Sequence, residues 1–119
     1  MQEYQLYIDG EFGPSKTGKT VDSINPATEE PWARVARAGR EDTQRAIKAA
    51  RTAFDSGPWS RMSQADRARI LNDIADRLQA RAQEIAVIET QDSGGTIRKT
   101  SGDLMLANAQ LRYFAEMAE

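Results

Sequence analysis

Gly13-Pro14-Ser15-Lys16-Thr17-Gly18-Lys19-Thr20 satisfies the phosphate-loop pattern G-x-x-x-x-G-K-[ST] to the letter. The chemistry would be nucleotide binding, with main-chain N–H groups cradling phosphates, the lysine on the terminal phosphates and the hydroxyl on magnesium. That chemistry needs a buried strand before the loop and a helix directly after it. Here Val21-Asp22-Ser23-Ile24 reads as strand, and Pro26 follows Thr20 by only six residues. No apolar strand ending in Asp supplies a magnesium partner, because Ile85-Ala86-Val87-Ile88 belongs to a helical stripe. The segment is expected to be a hairpin loop, with nucleotide binding through Gly13 to Thr20 the weakest functional reading.

Other reactive groups are scarce. The chain has no Cys and no His. Thiol nucleophiles, thiolate metal sites and the usual neutral-pH general base are therefore absent from these 119 residues. Carboxylates come in pairs at Glu29-Glu30, Glu41-Asp42 and Asp73/Asp76, which read as turn, first-turn and surface positions. Negative charge in a first helical turn meets the helix dipole favourably, which explains Glu41-Asp42 without any function. Asp92 differs. It sits where a long helix ends, beside Gly94-Gly95, and a carboxylate there is disfavoured unless something such as a cation compensates it.

Charge adds little. Lys plus Arg total 16 and Asp plus Glu 18, a net −2. Eleven basic and six acidic residues fall between Arg34 and Arg81, but the remainder carries five and twelve, which offsets the excess. Glu41 with Arg45 and Asp73 with Arg77 stand at helical pairing distance, the mark of a solvated face. A nucleic-acid partner is not expected. No apolar run approaches the ~20 residues of a membrane span, and no secretory leader opens the chain, so no membrane and a cytoplasmic setting are expected.

Two textures must position these groups. Residues 1–38 read as strands and loops: Tyr4 to Ile8, an Asp9-Gly10 hairpin turn, a return at Glu11-Phe12, then Thr20 to Ile24 and Trp32 to Ala36. These strands are expected to form a small antiparallel sheet. Residues 39–119 read as three amphipathic helices. The first carries Ala46, Ile47, Ala50, Ala53 and Phe54 on one face and ends at Gly57-Pro58. The second starts at Ser63, with Asp66 as a capping partner, and carries Ile70, Leu71, Ile74, Leu78, Ile85 and Ile88. A bend or break near Arg81-Ala82-Gln83 is expected in it, and Gly94-Gly95 closes it. The third carries Leu104, Ala107, Leu111 and Phe114.

Trp59 and Tyr113-Phe114 are expected to pack in a core or interface rather than to form a stacking platform. Such faces want partners that these elements do not supply, so the chain reads as a fragment. The alternative is a freestanding helical interaction module that docks a partner through Leu104, Leu111 and Phe114.

In order along the chain, the segments resemble the N-terminal portion of the aldehyde dehydrogenase superfamily. The likeness runs through Leu6-Tyr7-Ile8-Asp9-Gly10-Glu11-Phe12, Ser23-Ile24-Asn25-Pro26-Ala27-Thr28, and Ala46 to Phe54. It continues in Gly57-Pro58-Trp59-Ser60, Arg67 to Leu71, Glu89-Thr90-Gln91-Asp92-Ser93-Gly94, and Leu111 to Ala115. Each piece is weak alone; seven in collinear order are specific.

That resemblance implies an α/β enzyme oxidising an aldehyde to a carboxylic acid with NAD or NADP. Residues 1–119 would be the first part of the NAD(P)-binding domain. In the family a cysteine thiolate attacks the aldehyde, hydride passes to the nicotinamide, and a glutamate activates the water that releases the acid. Those groups, and the ones that hold the cofactor, belong to segments downstream, so no catalytic or cofactor-binding residue is assigned here. The resemblance also implies a small-molecule aldehyde substrate, a homo-dimer or homo-tetramer, and a structural potassium or sodium ion. The ion's ligands would be a main-chain carbonyl of Ser23 or Ile24 and the carboxylate of Asp92. Ala38-Gly39-Arg40-Glu41-Asp42 is similar to members acting on betaine aldehyde or aminoaldehydes. Gly94-Gly95-Thr96 and Thr28-Glu29-Glu30 depart from the family's pattern, the latter by lacking its usual glycine.

Lys19→Ala is expected to leave ATP binding at background, where it stands in the starting chain. Equilibrium dialysis checks this, and saturable binding lost in the variant would reinstate the phosphate loop.

Overall fold

Gln5 divides the N-terminal run of strand-forming residues into two strands that join different sheets. The computed structural model describes residues 1–118 and resolves into two compact units, Met1–Ser60 and the chain from Arg61 onward. In the first unit β1 (Gln2–Tyr4), β2 (Leu6–Ile8), β3 (Glu11–Gly13), β4 (Thr20–Ile24) and β5 (Pro31–Ala36) precede α1 (Arg40–Ser56).

The strands form a three-stranded sheet of order β1-β5-β4 and a separate β2-β3 hairpin. β4 runs antiparallel to β5, with Val21 opposite Val35 and Ser23 opposite Ala33. β1 runs parallel to β5, with Gln2 opposite Ala33 and Tyr4 opposite Val35. The sheet is thus mixed rather than antiparallel as expected. The physical reason is the break at Gln5: β1 is no longer hairpin-linked to its neighbour, and the long stretch through β4 supplies the crossover that a parallel pair needs.

The β2-β3 hairpin is closed by the expected two-residue turn. Asp9 and Gly10 take φ of 57° and 82°, the left-handed pair that a type I′ turn demands. Ala33, at the centre of β5, is fully buried. Beside it Trp32 donates its Nε1–H to the Ser23 hydroxyl at 3.2 Å and stacks edge-on against Tyr4 at 6.2 Å. Arg34 pairs across the ladder with Asp22 at 2.7 Å. That guanidinium holds the Asp22 carboxyl below the usual carboxylate range.

After a 3-10 turn at Trp59–Arg61, the second unit comprises α2 (Gln64–Ala80), α3 (Ala82–Ser93) and α4 (Ile97–Met117). The described residues therefore form four α-helices rather than three. Arg81, at φ −111° and ψ 12°, leaves helical geometry at the expected break and makes α2 and α3 separate helices. Ser63 caps α2 as expected. Its hydroxyl accepts the Asp66 N–H at 3.1 Å and donates to the Asp66 carboxylate at 2.7 Å. Those contacts, the Ser63 one foremost, lower the Asp66 pKa. Gly94 ends α3 at φ 74°, a left-handed position that glycine takes without steric cost.

α4 packs against both α2 and α3. The fully buried apolar residues here are small ones: Ala68, Ala75, Ala86 and Ala115. Two buried polar residues fix the register. Asn108 donates its side-chain N–H to the Ala75 carbonyl at 2.6 Å, and its own oxygen accepts from Arg112, which also reaches Asp76 at 2.7 Å. Thr100 meets Thr90 hydroxyl to hydroxyl at 3.0 Å.

Glu29 adopts φ 60°, a left-handed conformation that costs a non-glycine residue roughly 1–2 kcal/mol. It stands in the turn that lacks the family's usual glycine. Glu29→Gly is expected to raise stability by about 0.5–1 kcal/mol, the relief of strain net of glycine's extra freedom when unfolded. Urea denaturation with an unchanged slope is the check, and a lower midpoint would contradict it.

Candidate functional site

The phosphate-loop look-alike is built to hold itself rather than a ligand. Its segment leaves β3 and enters strand β4, not a helix. Its main-chain donors are spent internally. The Lys16 N–H points at both oxygens of Asp42, 3.3 and 3.1 Å away, and the Thr17 N–H goes to the Ser15 hydroxyl at 3.2 Å. The Gly18 N–H meets the Ser15 carbonyl at 2.9 Å, and the Lys19 N–H meets the Thr17 hydroxyl at 3.3 Å. A phosphate would find four consecutive amides already occupied; the segment is a loop as expected, but it links two separate sheets rather than closing a hairpin.

Asp42 has a role that sequence reasoning missed. It occupies the first turn of α1, as expected, and it is completely buried there. Besides Lys16 it accepts the Gly39 N–H at 3.1 Å and an Arg45 guanidinium N–H at 3.4 Å. Arg45 thus pairs with Asp42, three residues away, and not with the expected Glu41. Loop and helix meet so closely that a Cβ built on Gly39 would lie 3.0 Å from the Thr17 methyl. An acidic residue three positions after a glycine N-cap was the available signal, since that spacing lets a carboxylate fold back onto the cap.

Of the expected cation ligands, Ser23 and Ile24 are neighbours on β4 in the first unit, and Asp92 lies in the last turn of α3 in the second. The Ser23 hydroxyl is engaged by Trp32. The Lys19 carbonyl takes the Arg37 N–H at 2.8 Å, and the Asn25 N–H goes to the Glu30 carbonyl at 3.0 Å. The pairing of β4 with β5 is irregular between Ser23 and Ile24, where Ile24 comes to lie opposite Pro31. Near the end of α3, Lys99 is held by Asp103 at 2.6 Å and is drawn also by Glu89, and both raise its pKa. That ammonium answers part of the negative charge at this helix end. Among the described residues, no group of three or more His, Cys, Asp or Glu could hold a metal ion.

The apolar faces are largely uncovered. Ile47 and Phe54 on α1 are exposed, Phe54 to 73%. Tyr7 and Phe12 sit opposite each other on the hairpin, 4.7 Å apart, with Phe12 74% exposed. Trp59, Tyr113 and Phe114 are exposed as well, so of the expected core or interface packing the core placement is not met. The stripe offered for docking is also corrected: Leu104 and Leu111 are half-buried on the inward face of α4, and only Phe114 is exposed. A second stripe, Leu106, Ala109, Tyr113 and Met117, faces outward at spacings of three and four. A helix apolar on two sides is one made to be enclosed. No helix among the described residues is long and apolar enough to cross a membrane.

Residues 12–119 match the model of the aldehyde dehydrogenase family. The chain is 40% identical over 116 residues to aldehyde dehydrogenase family 2 member B4, mitochondrial, of Arabidopsis thaliana, covering 97% of this chain and 22% of that one. It is 38% identical over 115 residues to the NADP/NAD-dependent aldehyde dehydrogenase PuuC of Escherichia coli (strain K12), covering 96% and 23%. Its backbone superposes on a betaine aldehyde dehydrogenase of Staphylococcus aureus, solved with NAD+, at a TM-score of 0.94 and 36% identity. That superposition covers 99% of this chain and 24% of the other. The chain spans about a quarter of the length of the curated relatives it matches.

Asp42→Ala strips the Lys16 and Gly39 amides of their acceptor and is expected to cost about 2–3 kcal/mol of stability. Asp42→Asn, which keeps one acceptor oxygen, is expected to fall between. Thermal unfolding of the three proteins checks the order, and equal midpoints would show that the loop does not depend on this carboxylate.

Proposed function

This chain belongs to the aldehyde dehydrogenase family, and we propose that it forms the first part of the NAD(P)-binding domain of an enzyme oxidising an aldehyde to a carboxylic acid. The observation that carries this reading is the match of residues 12–119 to the family, together with close superposition on a relative solved with NAD+. NAD or NADP would supply the hydride acceptor when bound. No residue of this segment is assigned to hold it, and without Cys the segment offers no thiolate to attack an aldehyde. Its own contribution is scaffolding: a strand segment locked to α1 through Asp42, and helices whose uncovered apolar faces suit the interior of a larger molecule.

A potassium or sodium ion held by the carbonyl of Ser23 or Ile24 and the carboxylate of Asp92 fits the donor chemistry. Carbonyl and carboxylate oxygens suit hard cations. The likeness to a betaine aldehyde dehydrogenase supports a betaine aldehyde or aminoaldehyde substrate. A cytoplasmic homo-dimer or homo-tetramer completes the reading.

The purified 119-residue chain, given NAD+ or NADP+ and betaine aldehyde, is expected to form no reduced cofactor. Turnover at an enzymatic rate would overturn the scaffolding role. In an enzyme containing this segment, replacing potassium by choline is expected to lower the melting temperature, and Asp92→Asn to abolish that difference. A potassium effect that survives Asp92→Asn removes Asp92 from the ion's ligands.

A further inference from the structure

The Asp9-Gly10 turn combines three conditions that the chain's other aspartates do not share. Asp9 is the only aspartate followed by glycine. Both turn residues are exposed. The ladder closes on the Ile8–Glu11 pair, so the Gly10 N–H lies between rungs and is not one of them. A Cβ built on Gly10 would meet nothing within 4 Å, so no neighbouring group crowds the turn on that side. The other aspartates are placed otherwise. Asp22 lies on β4 and is ion-paired to Arg34, with Ser23 next in the ladder. Asp42, Asp55, Asp66, Asp73, Asp76, Asp92 and Asp103 lie within helices. There the following amide is tied into the helix or its first turn, and the following side chain is bulkier than hydrogen.

We propose that Asp9 is a site of spontaneous isoaspartate formation, a covalent modification that lengthens the hairpin turn. The Gly10 main-chain nitrogen attacks the Asp9 side-chain carboxyl carbon. A C–N bond forms, a C–O bond breaks, and one water leaves with the amide proton, giving a five-membered cyclic imide. Solvent water then adds at the former main-chain carbonyl of Asp9 and breaks its bond to nitrogen. The chain now runs through the Asp9 side chain, and the old main-chain carbonyl becomes a free carboxylate. Nothing is oxidised or reduced, and the mass is unchanged. Holding nucleophile and carboxyl carbon one residue apart makes the first step intramolecular, the source of its advantage over attack between molecules.

The product carries one extra methylene in a two-residue turn that leaves no slack. Both left-handed φ angles belong to a turn of fixed length, so the Tyr7–Phe12 and Leu6–Gly13 pairs lose their register. The modified turn also presents a carboxylate that an isoaspartyl methyltransferase recognises.

The full chain is aged at 37 °C in neutral buffer, then labelled with radioactive S-adenosylmethionine by a protein isoaspartyl methyltransferase and mapped by peptide digestion. Label on the Asp9 peptide, rising with time and lost in Asp9→Glu, is the expected result. The glutamate keeps the charge but would have to close a six-membered ring. Label that persists in Asp9→Glu, or that maps chiefly to Asp22, Asp55 or Asp92, overturns the assignment. So does an aged chain without label when the same chain, aged in urea, labels at Asp9, because the folded turn would then be protective.

Discussion

Close approach through alanine is the constraint on which the rest of this structure depends. In both units the fully buried apolar residues are alanines: Ala33 in the sheet, and Ala68, Ala75, Ala86 and Ala115 among the helices. A methyl-sized side chain lets backbones come near enough for main-chain atoms to take part in the packing. The Asn108 contact to the Ala75 carbonyl is possible only because α2 and α4 approach that closely. Small residues bury little area each, at roughly 25 cal/mol per Å². The large apolar side chains that would stabilise more strongly, Phe12, Ile47, Phe54, Leu106 and Tyr113 among them, are turned outward. The segment is thus ordered inwardly by fit and polar pegs, and it presents its hydrophobic capacity to the outside.

The polar pegs carry the specificity that alanine cannot. A stripe of methyl groups slides with little penalty, whereas a buried polar atom displaced from its partner costs about 1–3 kcal/mol. Asn108 fixes α4 against α2, Thr100 fixes it against α3 through Thr90, and Asp42 fixes the loop after β3 against α1. Each peg makes its hydrogen bonds within its own unit. That division of labour, small residues for proximity and a few satisfied polar groups for register, suits elements whose apolar faces belong to a larger assembly.

Much of this was legible in the sequence because it follows from local chemistry. Asp9-Gly10 could close a hairpin, Ser63 could cap α2, Gly94 could end α3, and the shift of the apolar stripe at Arg81 marked a break. These depend on a few adjacent residues. The parallel pairing of β1 with β5 was not legible, since it is decided by where a chain that leaves at Gln5 returns. The burial of Asp42 was hidden for the same reason: its main partner, Lys16, lies 26 positions away. The two-sided character of α4 was legible in principle, because Leu106, Ala109, Tyr113 and Met117 repeat at helical spacing. A single stripe search settles on Leu104 and Leu111 and stops. The ion ligands Ser23, Ile24 and Asp92 rest on family resemblance and on donor chemistry.

The Lys16–Asp42 contact also bears on the order in which the chain acquires structure. Closing a loop of that length costs about 3 kcal/mol of chain entropy. The β2-β3 hairpin and the isolated turns of α1 form from neighbours and need not wait for it. The segment between Gly13 and Thr20 has local bonds at the Thr17, Gly18 and Lys19 amides, but its Lys16 amide is satisfied only by a carboxylate at the start of a later helix. That amide therefore gains its partner only once the first turn of α1 has formed. A chain emerging residue by residue from a ribosome would carry the Lys16 amide unmatched until Asp42 has been synthesised and has turned inward.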